Sequence, residues 1–348
     1  MSPYMTTILM VGLGLGTTIT LSSTHWLLAW MGLELNTLAI IPLMAMNHHP
    51  RAIEASIKYF IAQATAATLL LFASTTNAWL SGQWDIQQMT HPLPTTIITL
   101  ALMLKLGLAP MHAWLPEVLQ GLTLTMGLIL TTWQKLAPFA LLLQIQQTNP
   151  LLLTFVALTS IVVGGWAGLN QTQLRKILAY SSIAHLGWMV MIIQFSPQLT
   201  LLTLLIYIIM TFATFITFKT SKATNINTLS TTWTKAPLLT LLTPLILLSL
   251  GGLPPLTGFM PKWLILQELT KQSITFTTLI MVMSTLLSLY FYLRLAYSTT
   301  LTISPNNLNG TTQWRFPQSQ KTLPLMLSIT TTILLLPSTP LILPLLIL

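Results

Sequence analysis

The sequence predicts an all-α integral membrane protein with about eleven transmembrane helices, and three observations lead to this fold class. The 348-residue chain is 53% hydrophobic and only 5% charged, whereas soluble domains carry about 25% charged residues. Apolar runs of about 20 residues, long enough to cross a bilayer, alternate with short polar connectors. These runs lack the strict alternation of a membrane β-barrel. We therefore expect one transmembrane domain over residues 1–348.

The apolar runs define the expected spans in order. They lie at about 3–21, 25–46, 55–79, 93–112, 122–145, 149–169, 177–195, 197–219, 237–268, 273–298 and 323–346. The first run lacks a basic n-region and a small-residue cleavage site, so we expect a membrane span there and not a signal peptide. The connectors are too short to form a separate soluble domain.

Basic residues in the connectors orient these spans. Because alternate connectors lie on alternate sides, the side of the N-terminus collects most of them: Arg51, Lys58, Arg175, Lys176, Lys219, Lys222, Lys235, Arg315 and Lys321. The positive-inside rule places such connectors on the cytoplasm-like side. We therefore expect the N-terminus there and the C-terminus across the membrane. The excess of basic residues thus reflects membrane topology and does not indicate nucleic-acid binding.

Two matching segments break the expected helices. Residues 107–117 read GLAPMHAWLPE and residues 252–262 read GLPPLTGFMPK. Their helix-breaking residues are Gly107, Pro110, Pro116, Gly252, Pro254, Pro255 and Pro261. Irregular backbone at membrane depth must be buried in protein or line a watery cavity. We interpret both segments as functional breaks, although glycine and proline are also common in membrane helices.

The spacing of the breaks predicts an internal repeat. They fall in the fourth and ninth spans, so the two surrounding units are expected to run in opposite directions through the membrane. The predicted fold is therefore two inverted five-helix repeats, at about 3–145 and 149–298, each with a broken fourth helix. An extra C-terminal helix follows at about 323–346.

Charged residues inside the expected spans are the candidate functional groups. Glu34, Lys105 and Lys135 lie within spans 2, 4 and 5, and Lys262 follows the second break. A charge at the bilayer centre costs about 2.5 kcal/mol or more unless it is paired or hydrated. A lysine beside a movable glutamate is a proton site with an adjustable pKa, which favours proton translocation. Snorkelling or a static ion pair is the alternative.

Other residue types narrow the function further. His112, near the first break, and His185, in span 7, are possible proton relays because histidine titrates near neutral pH; a structural role is the alternative for each. The absence of cysteine excludes disulfides, cysteine-ligated iron–sulfur clusters and thiol catalysis. The run GLGLG lacks the other elements of a dinucleotide site, and no metal-binding motif is present.

Longer motifs carry a family resemblance. They include WMGLELNTLAIIPL, LKLGLAPMHAWLPEVLQG, TWQKLAP, GGWAGLNQTQLRKILAYSSIAHLGW and LLSLGGLPPLTGFMPKW. Over nearly the whole chain, the sequence resembles the antiporter-like subunits of respiratory complex I, specifically the chain 2 family of vertebrate mitochondrial NADH–ubiquinone oxidoreductase. By this resemblance, Glu34 is the glutamate of a Glu–Lys pair with Lys105. Lys135 resembles the central lysine, and Lys262 the lysine beside the second break.

The resemblance also implies a location, partners and cofactors. The chain would be a membrane-arm subunit of a proton-translocating NADH:ubiquinone reductase in the mitochondrial inner membrane, with its N-terminus in the matrix and its C-terminus facing the intermembrane space. Implied partners are chain 4, chain 4L, accessory subunits and lipids such as cardiolipin. FMN, iron–sulfur clusters, NADH and ubiquinone would belong to the rest of the complex, with no cofactor on this chain. Bacterial relatives have additional N-terminal helices. What covers the lipid-facing edge that those helices would occupy is left open.

These expectations combine into one mechanism with two alternatives. Water-filled half-channels would reach the lysines through the breaks, and a change in Glu34–Lys105 pairing would pass a proton along Lys105, Lys135 and Lys262. A free-standing sodium or potassium/proton antiporter is the first alternative, and purification of a large NADH-oxidising assembly would exclude it. A purely structural membrane subunit is the second. It predicts that Glu34→Gln alters assembly but not pumping per electron.

Overall fold

The computed structural model describes residues 2–46, 48–145, 149–234, 236–301 and 322–339. Their helices are α1 Pro3–Ser22, α2 Trp26–Met44, α3 Pro50–Ser81, α4 Pro92–Leu106, α5 Trp114–Gly121, α6 Leu124–Thr131, α7 Trp133–Gln144, α8 Pro150–Gly168, α9 Leu174–Ile192, α10 Pro197–Ser221, α11 Ile226–Ser230, α12 Pro237–Gly251, α13 Phe259–Lys271, α14 Thr275–Thr300 and α15 Thr322–Leu334. Within these ranges, β-structure is limited to two isolated bridges. The predicted all-α class is therefore confirmed for the described residues.

Seven helices in the described part of the chain are long and apolar enough to cross a membrane. They are α1, α2, α3, the combined α6 and α7, α8, α10 and α14. Shorter apolar helices are α4, α12 and Leu323–Leu334. α4 and α12 are short because each ends at a glycine of a predicted break. The chain is a multi-pass membrane protein. The end of the predicted last span and the residues Lys235, Arg315 and Lys321 lie outside the described residues.

The chain divides into two compact units, Met1–Thr159 and Ser160–Leu348. In unit one, α2 packs against α1 and α3, and α3 also contacts α4 and α5. In unit two, α12 packs against α14, and α15 lies against α10 and α12. The division falls inside α8, whereas the repeats expected from the sequence divide before this helix.

The first break begins where a glycine ends α4. Gly107 adopts the left-handed conformation with φ +77°, which a side chain would disfavour. Its N–H donates to the carbonyls of Met103 and Leu104, and the N–H of Leu108 also donates to Met103. This pattern closes a helix C-terminus by satisfying its last carbonyl groups. The chain then leaves the helix and re-enters one at Trp114.

The second break closes α12 in the same way. Gly252 has φ +82°, and its N–H donates to the carbonyls of Leu248 and Ser249. The N–H of Leu253 donates to Leu248 as well. Each of these residues follows its counterpart in the first break by the same number of positions. The two breaks thus share a backbone hydrogen-bond pattern in addition to a sequence pattern.

Each unit also contains one isolated β-bridge at a corresponding place. His25 pairs with Asp85 in unit one, and Gln173 pairs with Asn225 in unit two. In both cases, the residue just before a unit's second helix pairs with the connector that follows its third helix. The flanking backbone bonds run from Trp26 to Trp84, Ile86 to Thr24, Leu174 to Thr224 and Ile226 to Thr172. No sequence signal had indicated these bridges.

Candidate functional site

Two buried lysines line one cavity in unit one. Lys105 lies in the last turn of α4 and Lys135 in the first turn of α7. They are only 6% and 5% exposed. The cavity measures about 20 Å³ as the volume open to the centre of a water molecule, and a water needs roughly 10–15 Å³ by this measure. The site therefore has room for water beside both lysines.

Side chains from three helices satisfy carbonyl groups around the first break. Trp114 Nε1 donates to the carbonyl of Leu104 over 3.1 Å. Gln63 Nε2, on α3, lies 3.4 Å from the carbonyl of Lys105 and donates to it. Thr159 Oγ1, on α8, donates to the carbonyl of Ala109 over 3.3 Å. Because a broken helix leaves carbonyls without intrahelical donors, these contacts hold the irregular backbone next to Lys105 in place.

Polar atoms without partners converge on the same cavity. Within the described part of the chain, Lys105 Nζ, Gln134 Nε2 and both amide atoms of Asn36 are buried and have no hydrogen-bond partner. All three residues line the cavity. An unsatisfied buried polar group costs about 1–3 kcal/mol. Their common location indicates that the cavity is a polar site and not a packing defect.

A helix irregularity that the sequence had not predicted lies next to Lys135. Thr132 separates α6 from α7, with φ −109° and ψ −68°. Pro138 follows inside α7, and it has no N–H to donate to the carbonyl four residues earlier, at Gln134. Pro138 also lines the cavity. The segment TWQKLAP contained this signal, because a proline four residues after Gln134 predicts a weakened turn at that point.

Glu34 lies beside the cavity but not in its lining. It is half-buried on α2, and its charge acts electrostatically on Lys105 and on the buried Tyr59. The salt bridges of the described residues do not include Glu34. The structure thus brings Lys105 and Lys135 to one cavity, with Glu34 as a nearby charge. A direct Glu34–Lys105 pair stays a prediction.

Lys262 occupies a different setting in unit two. It lies in the first turn of α13, and its Nζ donates a 2.8 Å hydrogen bond to the carbonyl of Gly251, at the end of α12. Lys262 also lines two small cavities of about 10 and 20 Å³, again measured for the centre of a water molecule. The second lysine site therefore combines a helix C-terminus with adjoining space for water.

The two candidate relay histidines have unequal surroundings. His185 lines both cavities of unit two together with Trp188 and Lys262, and its ring contacts that of Tyr207 at a centroid distance of 5.6 Å. His112 lies within the first break, where its Nδ1 is 3.2 Å from the carbonyl of Pro110. The residues that line the unit-one cavity do not include His112.

An exposed ion-pair cluster joins α3 to the helix after the first break. Lys58 Nζ lies 2.8 Å from Glu54 on the same helix and 2.7 Å from Glu117 on α5. These side chains are exposed, and exposed ion pairs contribute little to stability, so the cluster links α3 to α5 with only a small effect on stability. Among the described residues, no group of three or more His, Asp or Glu side chains could hold a metal ion.

Two family models match the chain. The model described as "NADH:quinone oxidoreductase/Mrp antiporter, TM" matches residues 23–288. The model described as "NADH dehydrogenase subunit 2 C-terminus" matches residues 289–343. The first match includes Glu34, Lys105, Lys135 and Lys262, so all four candidate residues lie within the shared membrane region.

Curated relatives and solved structures agree with these matches. NADH-ubiquinone oxidoreductase chain 2 of Tetraodon nigroviridis is 68% identical over 98% of both chains, and that of Danio rerio is 63% identical over 99% of both. A chain of respiratory complex I from Thermus thermophilus with bound aureothin has a TM-score of 0.86 and 27% identity, with 99% of this chain and 80% of that chain covered. A chain of the Mrp complex from Dietzia sp. shares the fold, with a TM-score of 0.85 and 16% identity over 97% of this chain and 76% of that chain. The present chain belongs to the family of NADH-ubiquinone oxidoreductase chain 2 proteins.

Proposed function

We propose that this chain is a membrane-arm subunit of the proton-translocating NADH:ubiquinone oxidoreductase, complex I, in the mitochondrial inner membrane. Protons move through it by way of Glu34, Lys105, Lys135 and Lys262. Family membership supports the assembly. The observation that carries the proton-transfer role is the cavity of unit one, where two buried lysines share space for water.

Lysine suits this task because a buried ammonium can lose its proton, whereas a guanidinium stays charged. Lys105 and Lys135 can therefore alternate between charged and neutral forms, with water between them as the carrier. Glu34 influences this equilibrium from beside the cavity through its charge. A change in the position or protonation of Glu34 would shift the proton between the two lysines.

In unit two, Lys262 and His185 form the corresponding proton site. The carbonyl of Gly251 accepts a hydrogen bond from Lys262, and His185 lines the adjoining cavities. A histidine can accept and donate a proton near neutral pH, which supports a relay role for His185. His112 contacts the Pro110 carbonyl, and this contact favours a role in shaping the first break.

The proposed membrane layout is two inverted five-helix repeats plus a C-terminal helix, eleven spans in all. Two local correspondences support the repeat: the glycine that ends α4 and α12, and the bridge before the second helix of each unit. The connector charges support an N-terminus in the matrix and a C-terminus in the intermembrane space. Proposed neighbours are chain 4, chain 4L, accessory subunits and cardiolipin. FMN, iron–sulfur clusters, NADH and ubiquinone are bound elsewhere in the complex.

The lining of the unit-one cavity favours a proton over a sodium or potassium ion. Hard cations are bound by several oxygen ligands. The lining offers amide oxygens, but it also carries the amino groups of Lys105 and Lys135 and, among the described residues, no carboxylate. In its charged form, each of these lysines would repel a metal cation in the cavity. The site therefore supports proton transfer better than free-standing cation exchange.

The proposal is tested with Lys135→Met in the intact complex, reconstituted into vesicles. We expect assembly to be preserved and the number of protons pumped per NADH oxidised to fall. Lys271→Met is the matched control, because Lys271 is exposed and paired with Glu268, and we expect normal pumping. Wild-type pumping stoichiometry in the Lys135→Met complex would contradict the assigned role.

A further inference from the structure

We infer that the side-chain amides of Asn36 and Gln134 form a binding site for the water that connects Lys105 to Lys135. This inference rests on the proposed proton transfer between the two lysines and assigns positioning roles to two further residues. Asn36 lies on α2 and Gln134 on α7. Together with Lys105 on α4, they reach the cavity from three different helices.

The first support is the set of unsatisfied atoms. Asn36 is only 2% exposed, and neither its Nδ2 nor its Oδ1 has a partner among the described residues. Gln134 Nε2 and Lys105 Nζ are likewise buried and have no hydrogen-bond partner among the described residues. A buried water typically makes about three hydrogen bonds to such groups. Asn36 Nδ2, Gln134 Nε2 and Lys105 Nζ are therefore unsatisfied donors on residues that line one cavity, and the oxygen of a bridging water can accept hydrogen bonds from two of them.

The second support is the fixed position of Asn36. A Cβ atom on Gly16 would overlap Asn36 Oδ1 and lie 2.8 Å from the carbonyl of Gly32. The glycine on α1 therefore leaves space for the Asn36 amide, and α1 packs closely behind it. Asn36 Oδ1 lies against Gly16, so the amide has little freedom to rotate away from a cavity that Asn36 lines.

The third support is the local backbone at Gln134. The irregularity at Thr132 and the missing donor at Pro138 flank this residue, so the carbonyl of Gln134 also lacks an intrahelical N–H. A water held here can take a proton from the ammonium of one lysine while it gives one of its own protons to the amine of the other. The water is regenerated and charge is conserved.

Apolar replacements separate a water-binding role from a structural one. Asn36→Leu and Gln134→Met keep similar side-chain size but remove the amide. If the amides were dry, removing unsatisfied polar atoms would be neutral or stabilising, and pumping would be unchanged. If they hold water, pumping per NADH falls to the level of the Lys135→Met complex. Thr99→Val is the control, since Thr99 is buried on α4 but bonds to Thr96 in its own helix.

The decisive measurement is a structure of the intact complex at a resolution that shows water. We expect one density peak within hydrogen-bond distance of Asn36 and Gln134 in the wild type, and its loss in Gln134→Met. An empty cavity in the wild type, or full pumping by both apolar variants, would overturn the inference. Full pumping by Lys135→Met would instead overturn the proposed function, whether or not the water is present.

Discussion

The ammonium of Lys262 donates a 2.8 Å hydrogen bond to the carbonyl of Gly251, across the break that separates α12 from α13. A positive group at a helix C-terminus is favourable, because the helix dipole is negative there. The contact is tight: a Cβ atom on the next residue, Gly252, would lie 2.9 Å from Lys262 Nζ. The backbone of the break and the position of the lysine are therefore coupled.

This coupling predicts an effect of Gly252→Ala on both stability and pumping. An alanine at φ +82° costs about 1–2 kcal/mol in backbone strain, and its methyl group would displace the lysine head. We expect a lower thermal inactivation temperature of the complex together with reduced pumping per NADH. Gly82→Ala is the control, because Gly82 has φ +72° with no atom close to its Cβ position. Equal pumping losses in the two variants would argue against the coupling.

The tryptophan of the first break yields a second prediction. Trp114→Phe removes the indole N–H that donates to Leu104 but keeps an aromatic ring against Tyr59, whose centroid lies 5.7 Å away. The lost hydrogen bond is worth about 1 kcal/mol, so the complex should assemble but pump less efficiently as Lys105 loosens. Trp79→Phe, at a site that is 87% exposed, should have no effect. Reduced assembly without reduced pumping would assign Trp114 to folding alone.

Close packing of α1 on α2 provides a third prediction. Gly16→Ala would press a methyl group on Asn36 and on the carbonyl of Gly32, so we expect lower stability and disturbed pumping. Gly14→Ala has nothing within 4 Å of the new methyl group. Because alanine favours a helix over glycine by up to about 1 kcal/mol, this control should be neutral or stabilising. Thermal inactivation and proton uptake of the two complexes, measured side by side, distinguish the sites.

The contact between the second break and α15 gives a fourth prediction. Thr257 Oγ1 donates to the carbonyl of Thr332 over 2.6 Å, and both residues are buried. Thr257→Val should cost about 1 kcal/mol and make the C-terminal helix easier to cleave with a protease. In Thr240→Val, the lost bond is to Pro237 in the same helix, and α15 should be cleaved at the wild-type rate. Unchanged cleavage of both variants would refute a role for Thr257 in holding α15.

The sequence predicted the features that depend on local chemistry. Gly107 and Gly252 marked the helix ends because few other residues accept a left-handed backbone. Lys105 and Lys135 were identifiable because an isolated charge in an apolar run is costly. Both kinds of signal are readable from one segment at a time, without knowledge of its neighbours.

Features that depend on several helices were not predicted. Asn36 is an ordinary polar residue in α2, and only the fold reveals that its amide reaches a cavity without a partner. The bridge between His25 and Asp85 joins connectors that are distant in sequence. The separation of α6 from α7 falls at Thr132, which is neither glycine nor proline, so the sequence did not mark this position as a helix end.

The shared backbone of the two breaks has a consequence for how such a protein can be redesigned. Relative to the break glycine, Lys105 corresponds to Leu250, and Lys262 corresponds to Glu117. The first break therefore has its lysine before the glycine turn, whereas the second break has its lysine after the turn. The turn and the ionisable residue beside it therefore vary independently. A lysine can be moved by mutation from one side of a break to the other while the glycine that shapes the turn is retained.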